Sequence, residues 1–191
     1  MNVRVGTEAD ANFAAAMHAS EISEGFLPTL GSAFLARLYR RMVRSPESFL
    51  LVADDDGAPV GFIAGSEDVR ALYRAFLWRD GVAAALRALP RVVRSAPRVV
   101  ETLRYPAGGN DLPSAELLAI AVSPGSRGQG IGRTLVEALI AELGRRRVDA
   151  VRVVVGADNA GAVRLYEACG FRPATRIEVH KGAAAQVLTW P

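Results

Sequence analysis

The sequence predicts one mixed α/β sheet, and three stretches carry that expectation. The first joins strand, glycine-rich turn and helix: an apolar run over 117–122, then Ser123-Pro124-Gly125, then R-G-Q-G-I-G over 127–132, then a helix marked by Leu135, Leu139 and Leu143. Proline offers no ladder donor and glycine releases the backbone, so the strand stops at Ser123. The second is A-V-R-V-V-V over 150–155, a buried strand, followed by a helix opened by Asp158-Asn159 and closed by Cys169-Gly170. The third is the tail, where Ile177 and Val179, a turn at Lys181-Gly182 and a strand over 186–190 read as a terminal hairpin. Strands that alternate with helices before a final hairpin define one sheet with packed helices.

The N-terminal half supplies the remaining elements. Val3 and Val5 alternate with polar neighbours as a short strand, and Thr7, with Asp10 three residues on, caps a helix through Phe13 and His18. Gly25, Pro28 and Gly31 make 21–31 a loop, and a second helix starts at Ser32 with Phe34, Leu35, Leu38, Tyr39 and Met42 at helical spacing. Residues 48–53 and 60–64 form a hairpin around Asp-Asp-Asp-Gly at 54–57. Residues 69–114 read as a helical insert and loop. Val82, Leu86, Leu89, Val93, Ala96, Val100 and Leu103 make an apolar stripe, with Arg87, Arg91, Arg94 and Arg98 roughly opposite and Pro90 and Pro97 as kinks.

A chain of 191 residues is a prior for one domain, 1–191, burying about 70% of its unfolded surface. Half the residues are hydrophobic and 23% are charged, which fits a globular protein. No apolar run reaches the roughly 18 residues of a membrane span, no signal peptide is read, and one cysteine, Cys169, excludes an internal disulfide framework. The cytoplasm is the expected location. A net charge of +3 permits an anionic ligand without demanding one, and no nucleic-acid motif is present. No metal-ligand spacing and no Ser-His-Asp arrangement stands out.

The glycine-rich turn is the sharpest functional signal. A helix N-terminus carries unpaired N–H donors and a partial positive charge, which suits phosphate, and glycines at 128, 130 and 132 clear the approach. The spacing is not the dinucleotide G-x-G-x-x-G, because Arg133 stands where its third glycine belongs, and no P-loop is possible with Lys181 as the only lysine. What remains is Arg127-x-x-Gly130-x-Gly132 after an I-A-V-S-P strand end. A second motif follows, Asn159-x-x-Ala162-x-x-Leu165-Tyr166 ending at Gly170-Phe171, with Asn159 and Tyr166 about two helical turns apart on one face. In this order and separation the two motifs resemble the GNAT superfamily of acyl-CoA N-acyltransferases, firmly over 117–171, and 115–171 is the acyl-CoA-binding core the resemblance implies.

That resemblance implies a GNAT-like fold, a single mostly antiparallel sheet with helices on both faces. It implies acetyl-CoA as acyl donor and no metal. The diphosphate would lie on the backbone of Gly128, Gln129, Gly130, Ile131, Gly132 and Arg133, with Arg127 at the entrance. Ile120 and Val122 would pair with the pantetheine amides, Ala121 or Val122 would offer an N–H to the acetyl carbonyl, and Asn159 would contact the pantetheine arm. Tyr166 would protonate the departing thiolate. Glu116 would act as base toward an attacking amine; it lies six residues before Val122, so strand alternation would put both side chains on one face. His18, Glu21, Glu24 and His180 are runners-up for that role. The acceptor would be a small-molecule or peptide amine, with an acidic one favoured by the insert's arginines, and homodimerisation is left open. Two other classes compete: a silent acyl-CoA sensor, and a membrane- or nucleic-acid-binding module built on the arginine stripe.

Overall fold

The structure is a computed structural model that describes residues 1–22, 31–76, 112–179 and 183–191. Its strands are β1 (Asn2–Val5), β2 (Ser48–Asp55), β3 (Ala58–Ser66), β4 (Glu116–Val122), β5 (Val151–Gly156), β6 (Arg172–Val179) and β7 (Ala183–Trp190). The helices are α1 (Ala11–Glu21), α2 (Ser32–Arg44), α3 (Val69–Phe76), α4 (Ile131–Arg145) and α5 (Ala160–Ala168). One seven-stranded sheet runs in the order β1-β2-β3-β4-β5-β7-β6, and only the β4–β5 pairing is parallel. Beyond α3, the apolar and arginine stripes of the expected insert lie outside the described residues, as do Glu24 and His180.

Local sequence explains the element ends. Thr7 donates its N–H to Asp10 at 2.7 Å, and Asp10 is also gripped by Arg4 at 2.8 and 2.9 Å, which fixes the turn into α1. Asp56 and Gly57 both take positive φ, 48° and 82°, the backbone a two-residue β2–β3 hairpin needs. At the far end of α4 the arginine run serves as a clasp. Arg146 donates to Glu142 at 2.6 Å, to Glu67 at 2.8 Å and to the Pro46 carbonyl at 2.6 Å, and its guanidinium stands 4.8 Å over the Phe49 ring.

Helices cover both faces. On one, Leu135, Leu139 and Leu143 of α4 and Tyr166 of α5 are buried with Leu51, Ile63, Leu117 and Val153. On the other, Ala14 of α1, Leu35 and Tyr39 of α2 and Leu72 of α3 are buried with Leu50, Val52, Phe62, Ala119 and Ala121. Complete burial of a Leu side chain stabilises by about 1.5–3 kcal/mol, so each helix is held by its apolar stripe.

The irregularity that matters lies in β4. Ala64 pairs with Ala119 but its neighbour Gly65 pairs with Leu117, so Leu118 is an extra residue, a β-bulge. Leu117 packs on the α4 face, while Leu118 and Ala119 both turn to the α1–α2 face; Ile120 and Val122 return to the α4 face. The bulge therefore reverses the alternation. Glu116 ends up on the α1–α2–α3 side beside Arg152, opposite the face of Val122. The expectation that the Glu116 and Val122 side chains share a face is corrected by this one inserted residue.

Gly65, opposite the bulge, has no room for a side chain: a Cβ there would lie 2.6 Å from Cζ of Phe49 and 3.1 Å from Cδ1 of Leu139. Both neighbours are buried and cannot swing away. Gly65→Ala is expected to destabilise the fold by about 1–3 kcal/mol through overpacking. Urea unfolding measures this, and an unchanged midpoint would refute it.

Candidate functional site

The bulge opens the sheet. β4 and β5 pair only at Glu116–Arg152 and Leu117–Val153; beyond Leu117, β4 follows β3 and β5 follows β7. Ser123 donates its N–H to the Val60 carbonyl at 2.8 Å. By alternation the N–H and C=O of Val122 and Ile120 then face away from β3, onto the open edge toward β5, whereas those of Ala121 face β3. Of the two N–H groups expected to meet an acetyl carbonyl, the Val122 one lies on the cleft. An extended ligand could add here as a strand would, with main-chain pairing on an edge that β5 does not occupy.

At the wide end of the cleft stands the glycine loop. Gly128 and Gly130 take φ of +77° and +83°, and a Cβ at Gly125, Gly128 or Gly130 would meet nothing within 4 Å. Among the described residues no acceptor takes the backbone N–H groups of 128–133, and the first bond into α4 is Thr134 N–H to the Gly130 carbonyl at 3.1 Å. A run of free donors at the positive end of a 15-residue helix fits a diphosphate. Gly132 does something else: its missing Cβ admits Leu165 at 3.3 Å, so this glycine sets the approach of α4 and α5. The other side chains of the loop are occupied locally. Arg133 pairs with Glu137 at 2.8 Å, and the Gln129 amide reaches the Gly125 carbonyl at 3.5 Å. Arg127 donates through Nε to the Val122 carbonyl at 3.1 Å and through Nη2 to Glu21.

Asn159 caps α5, accepting the Ala162 N–H at 3.1 Å, which leaves its amide N–H₂ free to donate. Tyr166 is buried against Phe171 with ring centroids 5.6 Å apart. Burial lifts its hydroxyl above the usual tyrosine range, so it is protonated near neutral pH. Glu116, with 16% of its side chain exposed, accepts a 2.8 Å hydrogen bond from Arg152 Nε. Desolvation raises its pKa and Arg152 opposes the rise. Tyr166 and Glu116 thus flank the opening of β4 from opposite faces of the sheet, one with α4 and α5, the other with α1, α2 and α3. Among the described residues no cluster of His, Cys, Asp or Glu is placed to hold a metal, and no helix is long and apolar enough to cross a membrane. Cys169, at the end of α5, has its thiol pushed up by desolvation.

Bulged strand, opened edge, glycine loop and helix follow one another in this order along the chain. The chain belongs to the Acetyltransferase (GNAT) family, whose profile matches residues 17–171. It is 48% identical over 64 residues to the [ribosomal protein bS18]-alanine N-acetyltransferase of Escherichia coli K12, covering 34% of this chain and 43% of that enzyme. It is 32% identical over 148 residues to the mycothiol acetyltransferase of Acidothermus cellulolyticus, covering 76% of this chain and 37% of that one. The matches thus span less than half the length of these curated relatives. A Salmonella typhimurium protein solved with its cofactor acetyl-CoA superimposes with a TM-score of 0.64 at 16% identity, covering 100% of this chain and 92% of that one. At that identity the likeness concerns the fold.

Sequence reading named His18 only as a runner-up base and missed its buried pairing on the α1–α2–α3 face. His18 Nδ1 lies 2.6 Å from the Tyr39 hydroxyl, in the core. Both line a cavity of about 10 Å³ beneath the bulge, together with Tyr73, Leu118 and Ala119. That is space for one water at most. Arg152, the partner of Glu116, had a readable signal: a lone cation inside A-V-R-V-V-V needs a buried anion. No such signal marks the pairing of His18 with Tyr39, because the two come from different helices.

His18 gives the site a pH signature. Burial lowers its pKa to about 4 from the ordinary 6.5. The unfolded chain therefore takes up the proton first, and the stability contribution, complete above pH 6.5, is lost as pH falls toward 4. The melting-temperature difference between wild type and His18→Gln is expected to be constant from pH 7 to 8 and to shrink between pH 6.5 and 4. Parallel curves across that window would contradict a buried neutral His18.

Proposed function

We propose that the protein is an N-acetyltransferase that moves an acetyl group from acetyl-CoA to a primary amine by direct attack in a ternary complex. The observation that supports this most is the parting of β4 from β5 after Leu117, which leads an open strand edge to a loop whose N–H donors meet no acceptor among the described residues. Acetyl-CoA, when bound, supplies a thioester carbonyl for an amine to attack. The chain's residues do the rest. N–H groups of 128–133 hold the diphosphate, and Ile120 and Val122 pair with the pantetheine arm, to which the Asn159 amide donates. The Val122 N–H polarises the acetyl carbonyl. Glu116 takes the proton the amine loses, and Tyr166 gives its own to the departing sulfur. Acid and base on opposite faces of the sheet let the amine arrive from the α1–α2–α3 side while sulfur leaves toward α5.

The acceptor is a small-molecule or peptide amine. One relative acts on an alanine of a ribosomal protein and the other on mycothiol, which supports an amine acceptor without selecting one. Thiol release from acetyl-CoA across amino sugars, polyamines and peptide N-termini tests the proposal. Turnover with at least one amine class is expected; thiol release that no amine accelerates would contradict it.

Two substitutions separate the roles. Tyr166→Phe is expected to lower kcat by about 10²–10⁴-fold while leaving acetyl-CoA affinity unchanged, because only a transferred proton is lost. An unchanged kcat with chemistry rate-limiting removes Tyr166 from the mechanism. Glu116 becomes a base only when ionised, so activity should rise with pH through its raised pKa, and Glu116→Gln should abolish that rise.

A further inference from the structure

Arg127 holds the rim of the cleft in a way the family motif does not explain. Its Nε is bonded to the Val122 carbonyl, one of the groups on the open edge, and its Nη2 is bonded to Glu21, the last residue of α1. The guanidinium therefore joins three pieces: the end of β4, the start of the glycine loop and the end of a helix on the other face of the sheet. Glu21 is only 17% exposed, whereas Arg127 is 55% exposed and borders the free donors that begin at Gly128.

Glu21 is also badly placed for its own helix. A carboxylate at a helix C-terminus faces the negative end of the dipole, where a cation is preferred. Helix stability does not account for it; the pairing with Arg127 does. A guanidinium favours bidentate bonding to phosphate oxygens over a single carboxylate contact, and a diphosphate on the loop would bring those oxygens to it.

We propose that Glu21 competes with the diphosphate of an acyl-CoA for the Arg127 guanidinium. Arrival of the ligand exchanges one partner of Arg127 for another and releases both the Val122 carbonyl and the end of α1. Glu21 then tunes cofactor affinity downward and ties cofactor arrival to the helix that lines the acceptor face. This rests on the acetyl-CoA reading above, and its test can fail separately.

The experiment is calorimetric titration at low ionic strength of wild type, Glu21→Gln, Arg127→Gln and the double variant. The probes are acetyl-CoA and S-acetylpantetheine, which lacks the diphosphate. A half-exposed ion pair is worth at most ~1 kcal/mol, so Glu21→Gln should tighten acetyl-CoA binding about two- to fivefold. It should produce no gain in the Arg127→Gln background and none toward S-acetylpantetheine. Unchanged or weaker binding by Glu21→Gln overturns the competition. An equal gain without Arg127 also overturns it, since only general electrostatics would then be at work, and so does an equal gain with S-acetylpantetheine. Absence of acetyl-CoA binding in all four proteins refutes the parent reading; binding with a flat double-mutant cycle refutes this inference alone.

Discussion

One extra residue in a strand shapes this molecule. Leu118 sits in β4 without a partner across β3, and on its C-terminal side β4 and β5 cease to pair. A bulge bends its strand and adds local twist, so two parallel neighbours that meet at Leu117 and Val153 diverge beyond it. The sheet stays continuous because β4 retains β3 and β5 retains β7. The cost is a set of main-chain groups on β4 left without a strand. In a packed interior such groups are expensive, which makes an opened edge a natural place for a ligand that can pair with it.

The same residue distributes the chemistry. By reversing the alternation it sends Glu116 to the face of α1, α2 and α3, where it meets Arg152 and adds to the rise that burial imposes on the Tyr73 phenol. Tyr166 stays with α4 and α5 on the other face. Desolvation raises the pKa of the Glu116 carboxyl, and the ion pair with Arg152 draws it back down. Each of the two pulls on Glu116 limits the other. Elsewhere arginines serve as clasps between distant segments, as Arg146 does for Pro46, Glu67 and Glu142, and Arg4 does for Asp10 and Asp54.

Much of this was legible in the residues and some was not. Helix α2 begins at Ser32 as its spacing indicates, and the β2–β3 hairpin turns at Asp56-Gly57 because those residues tolerate positive φ. The strand–loop–helix unit was readable because proline, glycine and a leucine repeat mark its joints within about thirty residues. The bulge left no such mark. Leu117, Leu118 and Ala119 are all apolar, so a break in alternation changes nothing in the pattern, and the face of Glu116 came out reversed. Gly132 reads in the sequence only as part of an anion cradle, and nothing local shows that its missing Cβ also admits Leu165 of another helix. The pairs His18–Tyr39 and Glu21–Arg127 join residues far apart in sequence, where local pattern carries no information.

The central claim is that the open edge of β4 and the glycine loop together receive acetyl-CoA. A backbone amide NMR titration with acetyl-CoA tests it most directly. The account predicts the largest shifts at Ile120, Val122 and residues 128–133, with smaller ones near Asn159 and Tyr166 and none along β1 and β2. Shifts confined to β1, β2 or the β6–β7 hairpin, or no shifts at millimolar ligand, would contradict it.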